Sequence, residues 1–217
     1  MGKHFIPVSQ LQQVDLLGEV GPDTQHLWVG LHGYGQRVEF FQRHFRGAVQ
    51  PHRAFAFPQA PHKFYLSGVE GRVGASWMTK EERLVDIENQ RTYLNEVLRW
   101  LADKAPQAKL HIVAFSQGVA TGMRFLGHNE RAIESFLAWA GSWPPDLDER
   151  SVEALKNIQF KGWFGSDDPF IVRDKQTAIL NLYQERYQMQ PPVSFYEGGH
   201  HFDTVSLFHE IERLEQA

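Results

Sequence analysis

The chain has 217 residues, a length that predicts one large domain or two small ones. A chain of this length can form a hydrophobic core large enough to be stable without covalent cross-links. It contains no cysteine, which excludes disulfides, thiolate metal sites and a cysteine nucleophile. The 22 Lys and Arg against 26 Asp and Glu give a net charge of −4, which is too mild and too mixed for a nucleic-acid-binding protein.

The beginning of the chain, MGKHFIPVSQLQQVD, lacks the apolar run of a secretory signal. No later stretch approaches the roughly 20 apolar residues that span a bilayer. We therefore expect a cytoplasmic protein with no stable membrane insertion.

Six short apolar runs predict β-strands. They cover residues 27–31, 54–57, 110–115, 136–140, 160–164 and 193–196. Strands that are apolar almost throughout are typical of a parallel sheet covered on both faces.

Helical patterns lie between these strands, at about residues 79–104, after Ser116, and at about 151–157, 173–188 and 204–215. In the first, Thr79 and Glu82 match a capping box. One apolar stripe follows at helical spacing, formed by Leu84, Ile87, Leu94, Val97, Leu98 and Leu101. This alternation predicts an α/β fold with a mostly parallel central sheet flanked by helices. With no repeat or linker, we expect a single domain over residues 1–217.

The segment Ala114-Phe115-Ser116-Gln117-Gly118 stands between a predicted strand and a predicted helix. This context favours a nucleophile elbow, in which a sharp turn lifts the serine hydroxyl above the sheet. The alternative is a serine that caps the helix at a tight turn. The motif alone is weak, and the strand and helix around it favour the elbow.

The segment Leu31-His32-Gly33-Tyr34-Gly35 ends the first predicted strand. Acyl transfer needs backbone N–H donors aimed at the developing oxyanion, and such a turn can supply one. A plain turn is one alternative. A dinucleotide-binding loop is excluded because Val38 occupies the third glycine position.

Carboxylate and imidazole candidates follow the last two predicted strands. Asp167 and Asp168 are adjacent, so at most one can orient a catalytic histidine. His200 and His201 follow two glycines. They do not match a metal-binding motif, because the sequence has no third ligand at a suitable spacing from them. Each motif alone favours an ordinary polar turn, but the order Ser, Asp, His is that of an α/β-hydrolase.

At this point the sequence resembles the phospholipase/carboxylesterase family of α/β-hydrolases, which includes the acyl-protein thioesterases. The similar motifs are LHGYG, AFSQG, GSDDPF, YEGGHHF and the segment GASW before the long helix. The resemblance extends from Leu27 to the C-terminus and implies an α/β-hydrolase fold without a large lid domain. Ala114 and Ala140 depart from the Gly and Ser that are common in the family.

Matched by position, the resemblance implies that Ser116 is the nucleophile, Asp168 the triad acid and His200 the base. Some members place the histidine one residue later, so His201 remains an alternative. Tyr34 and Gln117 match the backbone donors of the oxyanion hole. Because such a triad supplies its own base and no metal-ligand cluster is visible, we expect no metal and no organic cofactor.

Aromatic side chains are expected near this site. Trp77, Trp143 and Phe170, together with Tyr34, fall on loops at its edge and are expected to line an apolar acyl pocket, with ordinary loop packing as the alternative. The expected function is that of a serine hydrolase that cleaves carboxylic esters through an acyl-enzyme, and the expected partner is a small-molecule ester or thioester substrate.

Two alternatives to this function remain. One is an acyl-protein thioesterase or a lysophospholipase. The other, from a different class, is a non-catalytic binding protein on a hydrolase scaffold, although the intact Ser, Asp and His set argues against it. No oligomeric state is predicted.

Overall fold

The computed structural model describes residues 2–216. Within them, the strands are β1 (Val14–Leu17), β2 (His26–Leu31), β3 (Arg53–Pro58), β4 (His62–Tyr65), β5 (Val73–Ser76), β6 (Lys109–Phe115), β7 (Ser135–Trp139), β8 (Gln159–Gly165) and β9 (Val193–Tyr196). The helices are α1 (Val38–Phe41), α2 (Arg83–Lys104), α3 (Gln117–Phe125), α4 (Glu149–Asn157), α5 (Arg173–Tyr187) and α6 (Thr204–Glu215), with a 3-10 helix at Gln42–Ala48. No helix among residues 2–216 is long and apolar enough to cross a membrane.

Seven strands form the central sheet, in the order β1-β3-β2-β6-β7-β8-β9. β1 pairs antiparallel with β3, and all the other neighbours are parallel. The six predicted strands are all in this sheet, in parallel, which confirms the mostly parallel α/β-hydrolase architecture. Between β7 and β8 the chain forms only α4, so the structure has no large lid there.

Helices cover both faces of the sheet, each over its own apolar core. One core joins the sheet to α2, α3, α4 and α5, with Leu98, Met123 and Tyr183 fully or almost fully buried. The other joins it to α1, the 3-10 helix and α6, with Phe45 and Leu207 at its centre. This two-sided burial explains why the strands are apolar almost throughout.

The start of α2 differs from the prediction. The helix begins at Arg83, and Glu82 before it has φ 49° and ψ 33°, outside the helical range. The predicted capping box is therefore wrong: the Thr79 hydroxyl accepts the N–H of Glu81, and Asp86 accepts the N–H of Thr79. Leu84 does not belong to the buried stripe, since it is 73% exposed.

Five elements have no counterpart among the predicted ones: β1, β4, β5, α1 and the 3-10 helix. β1 is a half-buried edge strand, so it lacks the continuous apolar run that marked the central strands. β4 and β5 form a separate antiparallel hairpin, which the Gly35 N–H joins to the loop after β2 by donating to the Ala75 carbonyl at 2.7 Å.

Two histidines, His111 buried and His26 half-buried, lie near the amino-terminal end of the parallel strands. His111 Nε2 lies 3.0 Å from His26 Nδ1, and His111 Nδ1 lies 2.8 Å from the Ser135 hydroxyl. The Trp28 ring stacks on His111 with centroids 4.6 Å apart. Burial, together with the charges of His26, Lys109 and Arg53, lowers the pKa of His111 to about 3.

We expect acid to destabilise the fold partly through His111. Between pH 6.5 and about 3 the unfolded chain binds a proton on this residue that the folded chain does not. Stability therefore falls as the pH falls through this range, by about 1.4 kcal/mol per pH unit for one such histidine.

Urea unfolding at several pH values between 7 and 4.5 measures this slope. His111→Gln should reduce the dependence of unfolding free energy on pH by about 1.4 kcal/mol per pH unit, because glutamine does not titrate. His209→Gln, at an exposed position of α6, serves as the matched control and should leave the slope unchanged. An unchanged slope in His111→Gln would contradict the assignment.

Candidate active site

The predicted catalytic residues all lie at one edge of the sheet. Ser116 follows β6, Asp168 follows β8 and His200 follows β9. Because these strands are parallel, their carboxyl ends meet at the same edge, where open α/β sheets hold their sites.

Ser116 occupies a sharp turn between β6 and α3. Its φ of 52° and ψ of −116° are strained for a residue with a side chain, as expected for a nucleophile elbow. The turn brings α3 against the end of β2, where a Cβ on Gly118 would lie 2.2 Å from the Leu31 carbonyl oxygen. Only glycine fits at that position, so the backbone path requires Gly118 two residues after the serine.

A chain of two hydrogen bonds joins the three side chains. The Asp168 carboxylate accepts the Nδ1–H of His200 at 2.7 Å, and His200 Nε2 lies 2.9 Å from the Ser116 hydroxyl. When the neutral imidazole carries its proton on Nδ1, Nε2 accepts a hydrogen bond from the Ser116 hydroxyl. Asp168 is 2% exposed, and its other oxygen accepts the N–H groups of Phe170 and Ile171. The carboxylate is thus held in place on both oxygens.

Two aromatic side chains hold the backbone on either side of His200. The Tyr196 hydroxyl donates to the Gly199 carbonyl at 2.8 Å, and Trp139 Nε1–H donates to the His201 carbonyl at 3.0 Å. Burial raises the pKa of Tyr196 to about 12, so its hydroxyl keeps its proton. Neither residue is predicted from the sequence, because nothing in an apolar strand indicates which carbonyl its aromatic side chains will reach.

The adjacent candidates point elsewhere. His201 is exposed, and its Nδ1 lies 2.9 Å from the Phe202 carbonyl oxygen. Asp167 is also exposed and accepts the hydroxyl of Ser166 at 2.8 Å. Neither has a hydrogen bond to Ser116 or His200 among residues 2–216. In the same part of the chain, no three His, Asp or Glu side chains are grouped to hold a metal ion.

Two backbone N–H groups near Ser116 have no hydrogen-bond acceptor among residues 2–216. In the loop after β2, Gly33 N–H donates to the side-chain oxygen of Gln36, and Gly35 N–H donates to Ala75. Between them, the N–H of Tyr34 has no acceptor within residues 2–216. The N–H of Gln117, at the start of α3, likewise has none there, as is usual for the first turn of a helix.

The side chain of Gln117 links the turn at Ser116 to the segment after β5. Its amide oxygen accepts the Trp77 N–H at 3.0 Å, and its NH₂ group donates to the Met78 carbonyl at 2.9 Å. The elbow and the segment after β5 are thereby fixed to each other.

The structure contradicts the expectation that Trp77 and Trp143 line a substrate pocket. Trp77 is 0% exposed, because its ring packs in the core and its Nε1–H donates to the His32 carbonyl at 2.8 Å. Trp143 is also buried, and its ring centroid lies 5.1 Å from that of Tyr183. The Trp143 ring also lies so close to Gly162 that a Cβ added there would be 2.6 Å from the ring. Both side chains turn inward from their loops.

Phe170 and Tyr34 face solvent at the site. The Phe170 side chain is 65% exposed, and its ring centroid lies 4.8 Å from that of His200. Phe115 contacts the same imidazole at 4.9 Å, so His200 has aromatic neighbours in two elements. Tyr34 is also exposed and packs on Phe64 of the hairpin with centroids 5.1 Å apart.

The chain is similar to known serine hydrolases in sequence pattern and in fold. A family model described as serine hydrolase (FSH1) matches residues 27–209, which is most of the chain and includes all three side chains. No curated protein matches the sequence.

Solved structures share the fold at low sequence identity. Acyl-protein thioesterase 2 of Zea mays has a TM-score of 0.70 and 14% identity, over 94% of this chain and 100% of that one. Esterase PE8 has a TM-score of 0.71 and 18% identity, over 94% and 99%. The Bacillus cereus carboxylesterase has a TM-score of 0.66 and 13% identity, over 95% and 94%. These likenesses are consistent with the predicted resemblance to the phospholipase/carboxylesterase α/β-hydrolases.

Proposed function

This chain belongs to the FSH1 family of serine hydrolases, and we propose that it cleaves carboxylic esters through an acyl-enzyme formed on Ser116. The observation that carries the proposal is the hydrogen-bonded series from Asp168 through His200 to Ser116. It is the arrangement that acyl transfer needs, because a hydroxyl becomes a strong nucleophile only when a base removes its proton. We also propose that residues 1–217 form one catalytic domain.

Each group has a defined part in the reaction. The Ser116 oxygen attacks the ester carbonyl carbon while its proton passes to His200 Nε2, and Asp168 stabilises the imidazolium that forms. The N–H groups of Tyr34 and Gln117 bind the oxyanion of the tetrahedral intermediate. His200 then gives the proton to the departing alkoxide, which leaves as the alcohol. A water molecule hydrolyses the acyl-enzyme by the same steps and releases the acid.

The surroundings of His200 suggest what the substrate brings. Phe170 and Tyr34 expose apolar ring surface beside the reacting groups. We propose that they contact the acyl or alcohol part of a small-molecule ester. A thioester would use the same nucleophile and base, so the choice between the two depends on the leaving group and not on the triad.

A panel of substrates tests this function. We expect hydrolysis of p-nitrophenyl esters from acetate to octanoate at rates well above those in buffer alone. The release of p-nitrophenolate measures these rates. Thioesters with the same acyl chains separate esterase from thioesterase preference by their kcat/KM. If no ester or thioester in the panel is cleaved, the chain is a non-catalytic member of its fold and the proposal is wrong.

A further inference from the structure

His32 is a fully buried histidine, outside the triad, that precedes Gly33 and Tyr34 in the loop after β2. It follows β2 and is 0% exposed. Its Nδ1 lies 2.7 Å from the Gly33 carbonyl oxygen. On the other side of the ring, Nε2 lies 3.0 Å from the backbone nitrogen of Ala60 and 2.7 Å from Nε2 of Gln59. The imidazole thus connects this loop to the segment that follows β3.

The neighbours of His32 determine which nitrogen carries its proton. Gln59 uses its side-chain oxygen to accept from Arg37 and from the Val38 N–H, so its NH₂ group faces His32. The Ala60 N–H can also only donate. Nε2 of His32 therefore meets two donors and must be the acceptor. The single proton of the neutral ring lies on Nδ1, which donates to Gly33.

Burial keeps this ring neutral. It lowers the pKa of His32 to about 4, and the charge of Arg37 acts in the same direction, while the hydrogen bond to Gly33 opposes them. At neutral pH the imidazole therefore carries one proton, as the arrangement of donors requires.

The carbonyl that His32 contacts belongs to the peptide group that carries the Tyr34 N–H. In a trans peptide the C=O and the N–H are coplanar and point in opposite directions, so fixing one end fixes the other. A hydrogen bond on the carbonyl also polarises the peptide and strengthens its N–H as a donor. The Gln36 N–H reaches the same carbonyl at 3.3 Å, a longer contact than that of His32.

We propose that His32 is a positioning residue of the oxyanion hole: its Nδ1–H holds the Gly33–Tyr34 peptide so that the Tyr34 N–H faces the oxyanion. The inference rests on the proposed function, since it assigns a role within that reaction. His32 itself does not touch the substrate. Trp77 supports the same loop one peptide earlier, by donating to the His32 carbonyl.

Two isosteric variants separate this role from mere filling of the core. In His32→Asn the amide NH₂ group lies near the position of Nδ1 and can still donate to Gly33. In His32→Gln the amide lies near the position of Nε2, where its oxygen can accept from Ala60, but nothing is left to donate to Gly33. Positioning and core packing therefore predict opposite orders for the two variants.

We expect His32→Gln to lose roughly 10- to 100-fold in kcat on p-nitrophenyl esters with little change in KM, below the loss of about 100- to 1000-fold for a deleted oxyanion donor. His32→Asn should recover most of that loss in kcat, although its melting temperature should fall more because Ala60 loses its acceptor. Affinity for an aryl trifluoromethyl ketone, which forms an oxyanion on Ser116, should fall with kcat/KM in His32→Gln. His209→Gln is the surface control for the same exchange.

The outcomes distinguish this inference from the proposed function. If the wild type is active and His32→Gln retains its kcat, or if His32→Asn is as impaired as His32→Gln, His32 has no positioning role and the esterase assignment stands. If kcat and melting temperature fall together in both variants, the histidine only supports the fold. A wild type that cleaves no ester overturns both.

Discussion

Ser116→Ala should abolish labelling by a fluorophosphonate probe and reduce kcat on p-nitrophenyl esters by a factor on the order of a million. The probe reacts only with an activated serine, and His200 Nε2 lies 2.9 Å from the hydroxyl of this one. The fold should be retained, because alanine adopts the same turn and only one part-buried side-chain hydrogen bond is lost. Intact-protein mass spectrometry, circular dichroism and initial rates measure the three effects.

The labelled residue itself is the decisive result. Peptide mapping should place the probe on Ser116, within the segment that begins α3. Ser67→Ala changes an exposed serine in the loop between β4 and β5 and should label like the wild type. Labelling that survives Ser116→Ala, or that maps to another serine, would refute the assignment of the nucleophile.

His200→Ala should reduce kcat by several powers of ten, whereas His201→Ala should reduce it far less. His200 alone lies between Ser116 and Asp168, at 2.9 and 2.7 Å. Members of a triad act as a unit, so loss of the base costs nearly as much as loss of the nucleophile. His201 is exposed, and its ring packs on Tyr196 with centroids 5.6 Å apart, so its loss affects local packing.

The two alanine variants control for each other, because they are neighbours on one loop and remove the same side chain. Initial rates on one p-nitrophenyl ester, measured with melting temperatures, give the comparison. An inactive His201→Ala beside an active His200→Ala would reverse the assignment and favour the alignment one residue later.

The central sheet could be predicted because burial on both faces leaves a direct mark in the sequence. All six apolar runs are parallel strands with ends within one or two residues of the prediction. β1 could not be found this way, since none of its four residues is fully buried and Asp15 interrupts its apolar residues. The β4–β5 hairpin is held to the rest of the fold by contacts such as Gly35 to Ala75, which no local pattern encodes.

The candidate site was predictable where chain order and backbone constraint coincide. Ser116, Asp168 and His200 each follow a strand, so the topology alone brings them to one edge. The direction of a loop side chain is a different matter: Trp77 and Trp143 turn into the core, whereas Phe170 stays outside. That choice depends on space left by distant residues such as Gly162, which the sequence does not reveal.

The order in which the sheet can assemble has a consequence for the newly made chain. His200 is 84 positions beyond Ser116 and follows β9, which pairs only with β8 at the edge of the sheet. Contacts between such distant segments form late, because a long loop must close first. A nascent polypeptide that has already formed the turn at Ser116 therefore carries an unactivated serine until β9 docks. Covalent trapping during synthesis or refolding would consequently count only those molecules that have completed the last strand.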